Sequence, residues 1–95
     1  MRDNRQFYIN GEWVDPVSPN SFDVINPATE EVCGHISMGS EADVDKAVAA
    51  AKAAFQTFSR TSTQERIELL ESCIAVYKKY YLDIADAIRQ EMGAP

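Results

Sequence analysis

The first hydrophobic pattern along the chain predicts a β-hairpin. Two short apolar segments, residues 7–9 and 12–14, flank the dipeptide Asn10-Gly11. Asn-Gly supplies the two positive-φ residues that a type I′ turn requires, and a two-residue loop fixes how the flanking strands pair. This register places Tyr8 opposite Trp13. Because a two-stranded ribbon is marginal in water, the hairpin is expected to pack on the helices or on chain outside these residues.

Two further strands are predicted, with a turn between them. Residues 22–25 read as extended, and apolar and polar positions alternate over residues 32–37. Pro27 has a fixed φ, lacks an amide donor and disfavours helical backbone at Asn26, so residues 26–29 are predicted to form a turn. The second strand is therefore expected to return beside the first.

An amphipathic helix is predicted after Ser40. This serine has the form of an N-cap, and Asp43 lies in the first turn, where a carboxylate interacts well with unpaired amides and with the helix dipole. Apolar residues recur at helical spacing as far as Phe58, and the alanine-rich face permits close packing.

Two more helices follow. The apolar stripe over residues 64–80 predicts a helix that is buried on more than one side, and Ser62 with Glu65 is the better of its capping candidates. A third helix is predicted over residues 83–91, ended by Gly93.

Composition limits the chain to one small domain and disfavours some partners. Over 95 residues, 15 acidic and 9 basic side chains give a net charge of −6, which repels phosphate backbones and anionic lipid headgroups. Nucleic acid and membrane surfaces are therefore not expected partners. The first residues contain only three consecutive apolar positions, too few for a signal peptide or a membrane span. We expect a cytoplasmic protein with reduced thiols.

No catalytic constellation emerges from the residues themselves. Cys33 and Cys73 lie forty positions apart without further ligands nearby, so both are interpreted as structural thiols. Cys33 and His35 share a strand face, which makes a Cys-His pair geometrically possible, although nothing orients the base. A single histidine makes a transition-metal site improbable. Glu30 and Glu31 are interpreted as solvated turn residues, and no phosphate-binding glycine loop is present.

The order of these elements resembles the aldehyde dehydrogenase family. Residues 7–14 look like the opening hairpin of the family, residues 24–32 resemble its Asn-Pro-Ala-Thr-Gly-Glu-Val turn with Glu30 in place of the glycine, and residues 41–55 are similar to its first long helix. Arg66 with the following leucines, and residues 91–95 with Ala94 in place of a common lysine, match the next helices and the Gly-Lys-Pro stretch. The resemblance extends from about residue 6 to residue 95.

The resemblance implies an α/β fold in which this chain is the N-terminal part of a Rossmann-like coenzyme domain. Residues 5–39 would supply the hairpin and strands and residues 40–95 the helical region, with the catalytic and oligomerisation parts absent. The family oxidises aldehydes to carboxylic acids through a cysteine thiohemiacetal and passes hydride to NAD or NADP, bound beyond residue 95. A homo-oligomer, dimer or tetramer, is also implied. No catalytic or cofactor-binding residue can be assigned within the chain.

The resemblance also implies a monovalent cation site. In the family, backbone carbonyls just before the Asn-Pro and an acidic side chain before the Gly-Lys hold the ion. The corresponding residues here are Val24, Ile25 and Glu91, where glutamate replaces the more common aspartate. A surface carboxylate is the alternative interpretation of Glu91.

A different class of function is also compatible with the apolar pattern. The chain could be a stand-alone helical interaction module that binds a partner through the stripe on the second helix, which includes Ile67, Leu70, Ile74 and Tyr77. The fragment interpretation is preferred because a large exposed apolar face on a small domain indicates a missing neighbour.

Overall fold

The computed structural model describes all 95 residues and confirms an α/β arrangement of strands followed by helices. The strands are β1 (Arg2–Asn4), β2 (Phe7–Ile9), β3 (Glu12–Val14), β4 (Ser21–Ile25) and β5 (Val32–Ser37). The helices are α1 (Glu41–Phe58), α2 (Thr63–Lys79) and α3 (Tyr81–Met92). The third helix therefore begins two residues before the predicted Asp83 and ends one residue after Glu91.

The predicted hairpin forms with the predicted register. β2 and β3 are antiparallel, and Tyr8 lies opposite Trp13 with ring centroids 5.1 Å apart. Asn10 and Gly11 have φ values of 56° and 78°, the left-handed backbone of a type I′ turn. The tip of the hairpin lies beside the alanine-rich face of α1, along Ala47, Ala50, Ala51 and Ala54. The Asn-Gly sequence was therefore sufficient to predict the turn and the register of this hairpin.

A three-stranded sheet has β5 at its centre. β4 pairs with it antiparallel, as predicted, and β1 pairs with it parallel on the other side. The sequence analysis missed β1 because its three residues are all polar and carry no hydrophobic period. A Cβ atom at Gly34 would lie 3.2 Å from the carbonyl oxygen of Arg2, so the glycine allows β1 to approach closely. The Arg2 side chain also donates to Gln90 Oε1 at 2.6 Å, which ties β1 to α3.

Reciprocal side-chain bonds cap the first two helices. Ser40 and Asp43 form a complete capping box at α1, and Ser62 with Glu65 forms one at α2. Gly93 has a φ of 68°, so α3 ends in a left-handed glycine. The capping and termination signals in the sequence are thus confirmed at these positions.

Arg66 stabilises the elbow between α1 and α2. Its guanidinium donates to the carbonyl oxygens of Phe58 and Ser59 at 3.4 and 3.3 Å and to Thr61 Oγ1 at 2.8 Å. The same group lies 5.6 Å from the centre of the Phe58 ring. Since the last turn of α1 contains no basic residue, Arg66 provides the positive charge that the dipole favours at the C-terminal end of this helix.

No hydrophobic side chain is buried within the chain. The backbone forms a layer of 48 × 34 × 16 Å with a radius of gyration of 16.9 Å, against about 12 Å for a compact domain of this length. The helices do not pack closely on one another, and every residue of α2 is exposed. The prediction that α2 is buried on more than one side is therefore wrong for these residues alone, because its apolar stripe has no partner among them.

Asp43 is the one buried charged group and links the loop after β3 to α1. Only 5% of the residue is exposed. One carboxylate oxygen accepts from the amide of Val17 at 2.9 Å, and the other accepts from the amide and hydroxyl of Ser40 at 2.9 and 3.0 Å. The amides of Ser40 and Val17 favour the ionised form and lower the pKa of Asp43.

We predict that protonation or removal of the Asp43 charge loosens this loop. Because the folded pKa of Asp43 lies below its ordinary value of about 3.9, its contribution to stability is fully present above that value and is lost as the pH falls through the folded pKa. Asp43→Asn should accelerate hydrogen exchange of the Val17 amide severalfold near neutral pH, because the charged acceptor of its hydrogen bond is lost. Asp45→Asn, on the same helix, is the matched control, and equal exchange in both variants would contradict the role of Asp43.

Candidate functional site

The predicted turn after β4 is a closed backbone loop. The Asn26 amide donates to the Glu31 carbonyl oxygen at 2.9 Å, and the Glu30 amide donates to the Asn26 carbonyl oxygen at 2.7 Å. The Asn26 side chain accepts from the Ala28 amide at 2.9 Å. Glu30 has a φ of 62°, in the left-handed region that glycine occupies without strain. The substitution of Glu30 for the family glycine therefore falls at the position of the turn where glycine is favoured.

The end of α3 lies directly against this turn. A Cβ atom at Gly93 would lie 2.9 Å from the Ala28 amide nitrogen and 3.3 Å from Pro27 Cβ. Because such a distance is too short for a real contact, only glycine permits the approach. Two segments more than sixty residues apart in sequence are thus brought together through backbone contact.

The residues of the predicted cation site flank this junction. Val24 and Ile25 end β4, where the pairing with β5 shifts register, and Glu91 lies in the last turn of α3, two residues before Gly93. The Val24 carbonyl oxygen accepts from Cys33 Sγ at 3.4 Å. Ile25 and Glu91 are exposed. Two carbonyls and one carboxylate form an oxygen donor set suited to a hard cation.

His35 is paired in a way that the sequence analysis did not anticipate. Its Nδ1 lies 2.9 Å from Asp23 Oδ1, because β4 and β5 place these two residues opposite each other. On the other side of β5, Asp3 is the register partner of His35. The Arg5 guanidinium bonds both oxygens of Asp3 and, with a smaller effect from His35, lowers the pKa of Asp3. Asp3, His35 and Asp23 lie side by side on neighbouring strands, so a correct prediction of the strand register would have identified their contacts.

The two cysteines lie apart and neither pairs with a base. Cys33 is half-buried and donates to Val24, while His35 bonds Asp23, so the possible Cys-His pair does not form. Cys73 is exposed on α2. No group of three or more histidine, cysteine or carboxylate side chains is placed to hold a metal ion. None of the helices combines the length and apolar character needed to span a bilayer.

Comparison with known proteins gives a consistent result. The model of the aldehyde dehydrogenase family matches residues 13–95. A 3-succinoylsemialdehyde-pyridine dehydrogenase from a Pseudomonas species is 52% identical over 95 residues, which cover all of this chain and 20% of that protein. The chain therefore spans about one fifth of the length of the curated relatives it matches.

Solved structures have the same fold over this region. An aldehyde dehydrogenase from Bartonella henselae superposes with a TM-score of 0.97 at 50% identity, covering 100% of this chain and 20% of that one. The C291A variant of aldehyde dehydrogenase C from Pseudomonas syringae, in complex with NAD+ and octanal, superposes with a TM-score of 0.91 at 47% identity. That match covers 94% of this chain and 18% of the other.

We predict that Glu30→Gly stabilises the turn. A left-handed backbone costs a non-glycine residue about 1–2 kcal/mol, and the greater freedom of glycine in the unfolded chain offsets part of that gain. The net increase in the free energy of unfolding should be about 0.5–1 kcal/mol, measured by denaturant unfolding. Glu31→Gly is the matched control and should destabilise, because the φ of Glu31 is not positive. Equal effects of the two substitutions would show that the left-handed conformation carries no cost.

Proposed function

The chain belongs to the aldehyde dehydrogenase family, and from that membership we propose that it is the N-terminal part of the coenzyme domain of an NAD-dependent enzyme. The reaction proposed for the whole protein converts an aldehyde, water and NAD+ to a carboxylic acid, NADH and a proton. The family achieves this through a thiohemiacetal on a catalytic cysteine, and NAD supplies the hydride acceptor when bound. Neither Cys33 nor Cys73 corresponds to that cysteine.

The observation that carries the proposal is the close superposition of all or nearly all of the chain on aldehyde dehydrogenase structures, one of which holds both NAD+ and an aldehyde. A match that includes the hairpin, the turn and all three helices in order is much more specific than any one of its short motifs. NAD is preferred to NADP because the NAD+ complex of the Pseudomonas syringae enzyme is nearly half identical to the chain.

Within the enzyme, we propose a structural role for this segment. Side chains along the second helix are largely exposed, including Leu70 at 63% and Ile74 at 54%. Exposed apolar surface of this extent favours a missing neighbour, and the remaining four fifths of the enzyme would supply it. The stand-alone module is not favoured, because the similarity to one enzyme family extends across strands and helices alike rather than being confined to the apolar stripe.

A monovalent cation at Val24, Ile25 and Glu91 is part of the proposal. Val24 and Ile25 end the strand that leads into the turn, and Glu91 precedes Gly93, so the three residues belong to the two segments that meet at this junction. A bound ion would join the turn to the helix through oxygen ligands. Its role would be to fix the position of α3 rather than to take part in hydride transfer.

Assembly and location are proposed on more general grounds. A homo-oligomer, dimer or tetramer, follows from the resemblance to the family. A cytoplasmic location is consistent with two unpaired cysteines, since reduced thiols are typical of that compartment. The net charge of −6 disfavours association with nucleic acid or anionic membranes.

We predict that the full-length protein forms NADH when supplied with NAD+ and octanal or a shorter aliphatic aldehyde, and that the 95-residue chain alone does not. The change in absorbance of NADH under identical conditions measures both. The physical reason is that the catalytic and nucleotide-binding groups are proposed to lie beyond residue 95. NADH formation by a chain of verified mass would contradict the proposed division of labour.

Substitutions at two adjacent positions of α2 test whether its apolar face is covered in the full-length enzyme. Leu70→Asp in the full-length protein should reduce the yield of soluble active enzyme about tenfold or more, because burying an unpaired carboxylate costs several kcal/mol. Glu71→Gln, at the neighbouring position, should leave the yield unchanged. If Leu70→Asp has full yield and activity, the apolar face of α2 is not covered in the enzyme.

We predict that the thermal stability of the full-length protein is higher in potassium or sodium chloride than in tetramethylammonium chloride of equal ionic strength, because binding to the folded state stabilises it. Glu91→Gln should remove the difference by removing the charged ligand. Glu71→Gln is the control for the loss of one surface charge, and this variant should retain the difference in thermal stability between the salts. An unchanged response to the small cations in Glu91→Gln would remove Glu91 from the site.

A further inference from the structure

The tip of the hairpin presents an asparagine amide beside an unhindered peptide nitrogen. Asn10 and Gly11 are both exposed. A Cβ atom built at Gly11 would have no atom within 4 Å, so the space on the side-chain side of Gly11 is open. Glycine also adds no side chain that could shield its own nitrogen. The Asn10 side chain and the Gly11 peptide are thus accessible to water.

We propose that Asn10 is a site of spontaneous deamidation. The Gly11 peptide nitrogen loses its proton and forms a bond to Asn10 Cγ, and the side-chain nitrogen leaves as ammonia, which closes a five-membered succinimide. Water then adds to one of the two ring carbonyls and opens the ring to aspartate or isoaspartate. The net reaction is amide plus water to carboxylic acid plus ammonia, without oxidation or reduction. This proposal is independent of the proposed enzymatic function.

Opening of the hairpin controls the reaction. Ring closure requires the Asn10 backbone to rotate, and the paired strands hold it in the left-handed conformation at a φ of 56°. Each strand has only three residues, and a two-stranded ribbon is marginally stable. The Tyr8–Trp13 ring pair and a 3.1 Å bond from Gln6 to Asp15 are the side-chain interactions that hold the two strands together. Because so few interactions hold the hairpin together, its local opening has a low free-energy cost.

The other asparagines provide an internal comparison. Asn26 precedes Pro27, which has no N–H to act as the nucleophile, and its side chain already accepts from the Ala28 amide. Asn4 precedes Arg5 in a strand tied to β5. Asn20 precedes Ser21 and is exposed, so it has the next smallest neighbour and a similar access to water. Asn20 is therefore the matched residue within the same molecule.

The two products differ in their effect on the hairpin. Aspartate keeps the backbone unchanged, and Asp-Gly supports a type I′ turn as Asn-Gly does. Isoaspartate places an extra carbon in the main chain, so a two-residue loop can no longer keep Phe7 opposite Val14. Deamidation would thus produce one product that retains the hairpin and one that does not.

The test is timed incubation of the purified full-length protein at mildly alkaline pH, followed by peptide mass mapping. The mass change from NH2 to OH identifies the deamidated position. Enzymatic methylation detects the isoaspartate product. We expect Asn10 to convert severalfold faster than Asn20, with both products formed. Asn10→Asp should block ammonia release at this position and leave the conversion at Asn20 unchanged. Conversion at Asn10 that is no faster than at Asn20 would overturn the proposal, and this comparison requires no variant to fold.

The substitution Trp13→Ala tests whether opening of the hairpin controls the rate of deamidation at Asn10. Loss of the aromatic pair should increase the rate of deamidation at Asn10 about twofold to tenfold. This factor is the change in the opening equilibrium of the hairpin that corresponds to the stabilisation by one aromatic pair. The rate at Asn20 in the same sample reports any general unfolding and should not change. An Asn10 rate equal to that of the wild type, or an equal acceleration at Asn20, would overturn control by the hairpin.

Discussion

Burial of apolar surface is the constraint on which this structure depends, and the chain does not satisfy it alone. Full burial of one leucine or isoleucine contributes about 1.5–3 kcal/mol, and a domain is stable by only about 5–15 kcal/mol. A few uncovered side chains therefore decide whether a fold persists. Here no hydrophobic side chain is buried, and the molecule is a layer only 16 Å thick. The strands and helices nevertheless superpose on aldehyde dehydrogenase structures in which this region is about one fifth of the chain.

Local interactions nevertheless determine where the elements begin and end. The two capping boxes, the Asn-Gly turn and the glycine at the end of α3 each involve residues close in sequence. Such interactions satisfy backbone groups that would otherwise be unpaired, and they do so whether or not the faces are covered. Asp43 and Arg66 extend this principle by joining neighbouring elements through backbone amides and carbonyls. The layer is consequently well defined although its faces are open.

The same distinction explains what the sequence could predict. The hairpin register, the Ser40 and Ser62 caps and the end of α3 followed from patterns of a few residues. β1 did not, because Arg2, Asp3 and Asn4 have no hydrophobic period and form a strand only through β5. The His35–Asp23 contact required the register of β4 on β5. Positions in the candidate cation site came from family resemblance, since backbone carbonyls leave no trace in side-chain chemistry.

The junction between the turn and α3 shows why such a site escapes a search of side chains. Gly93 is constrained twice, by its left-handed φ of 68° and by its approach to Ala28. Any larger residue there would be strained and would also separate the helix end from the turn. The junction is therefore held by backbone shape, through the approach of Gly93 to Pro27 and Ala28. This contact between segments far apart in sequence becomes visible only in the folded chain.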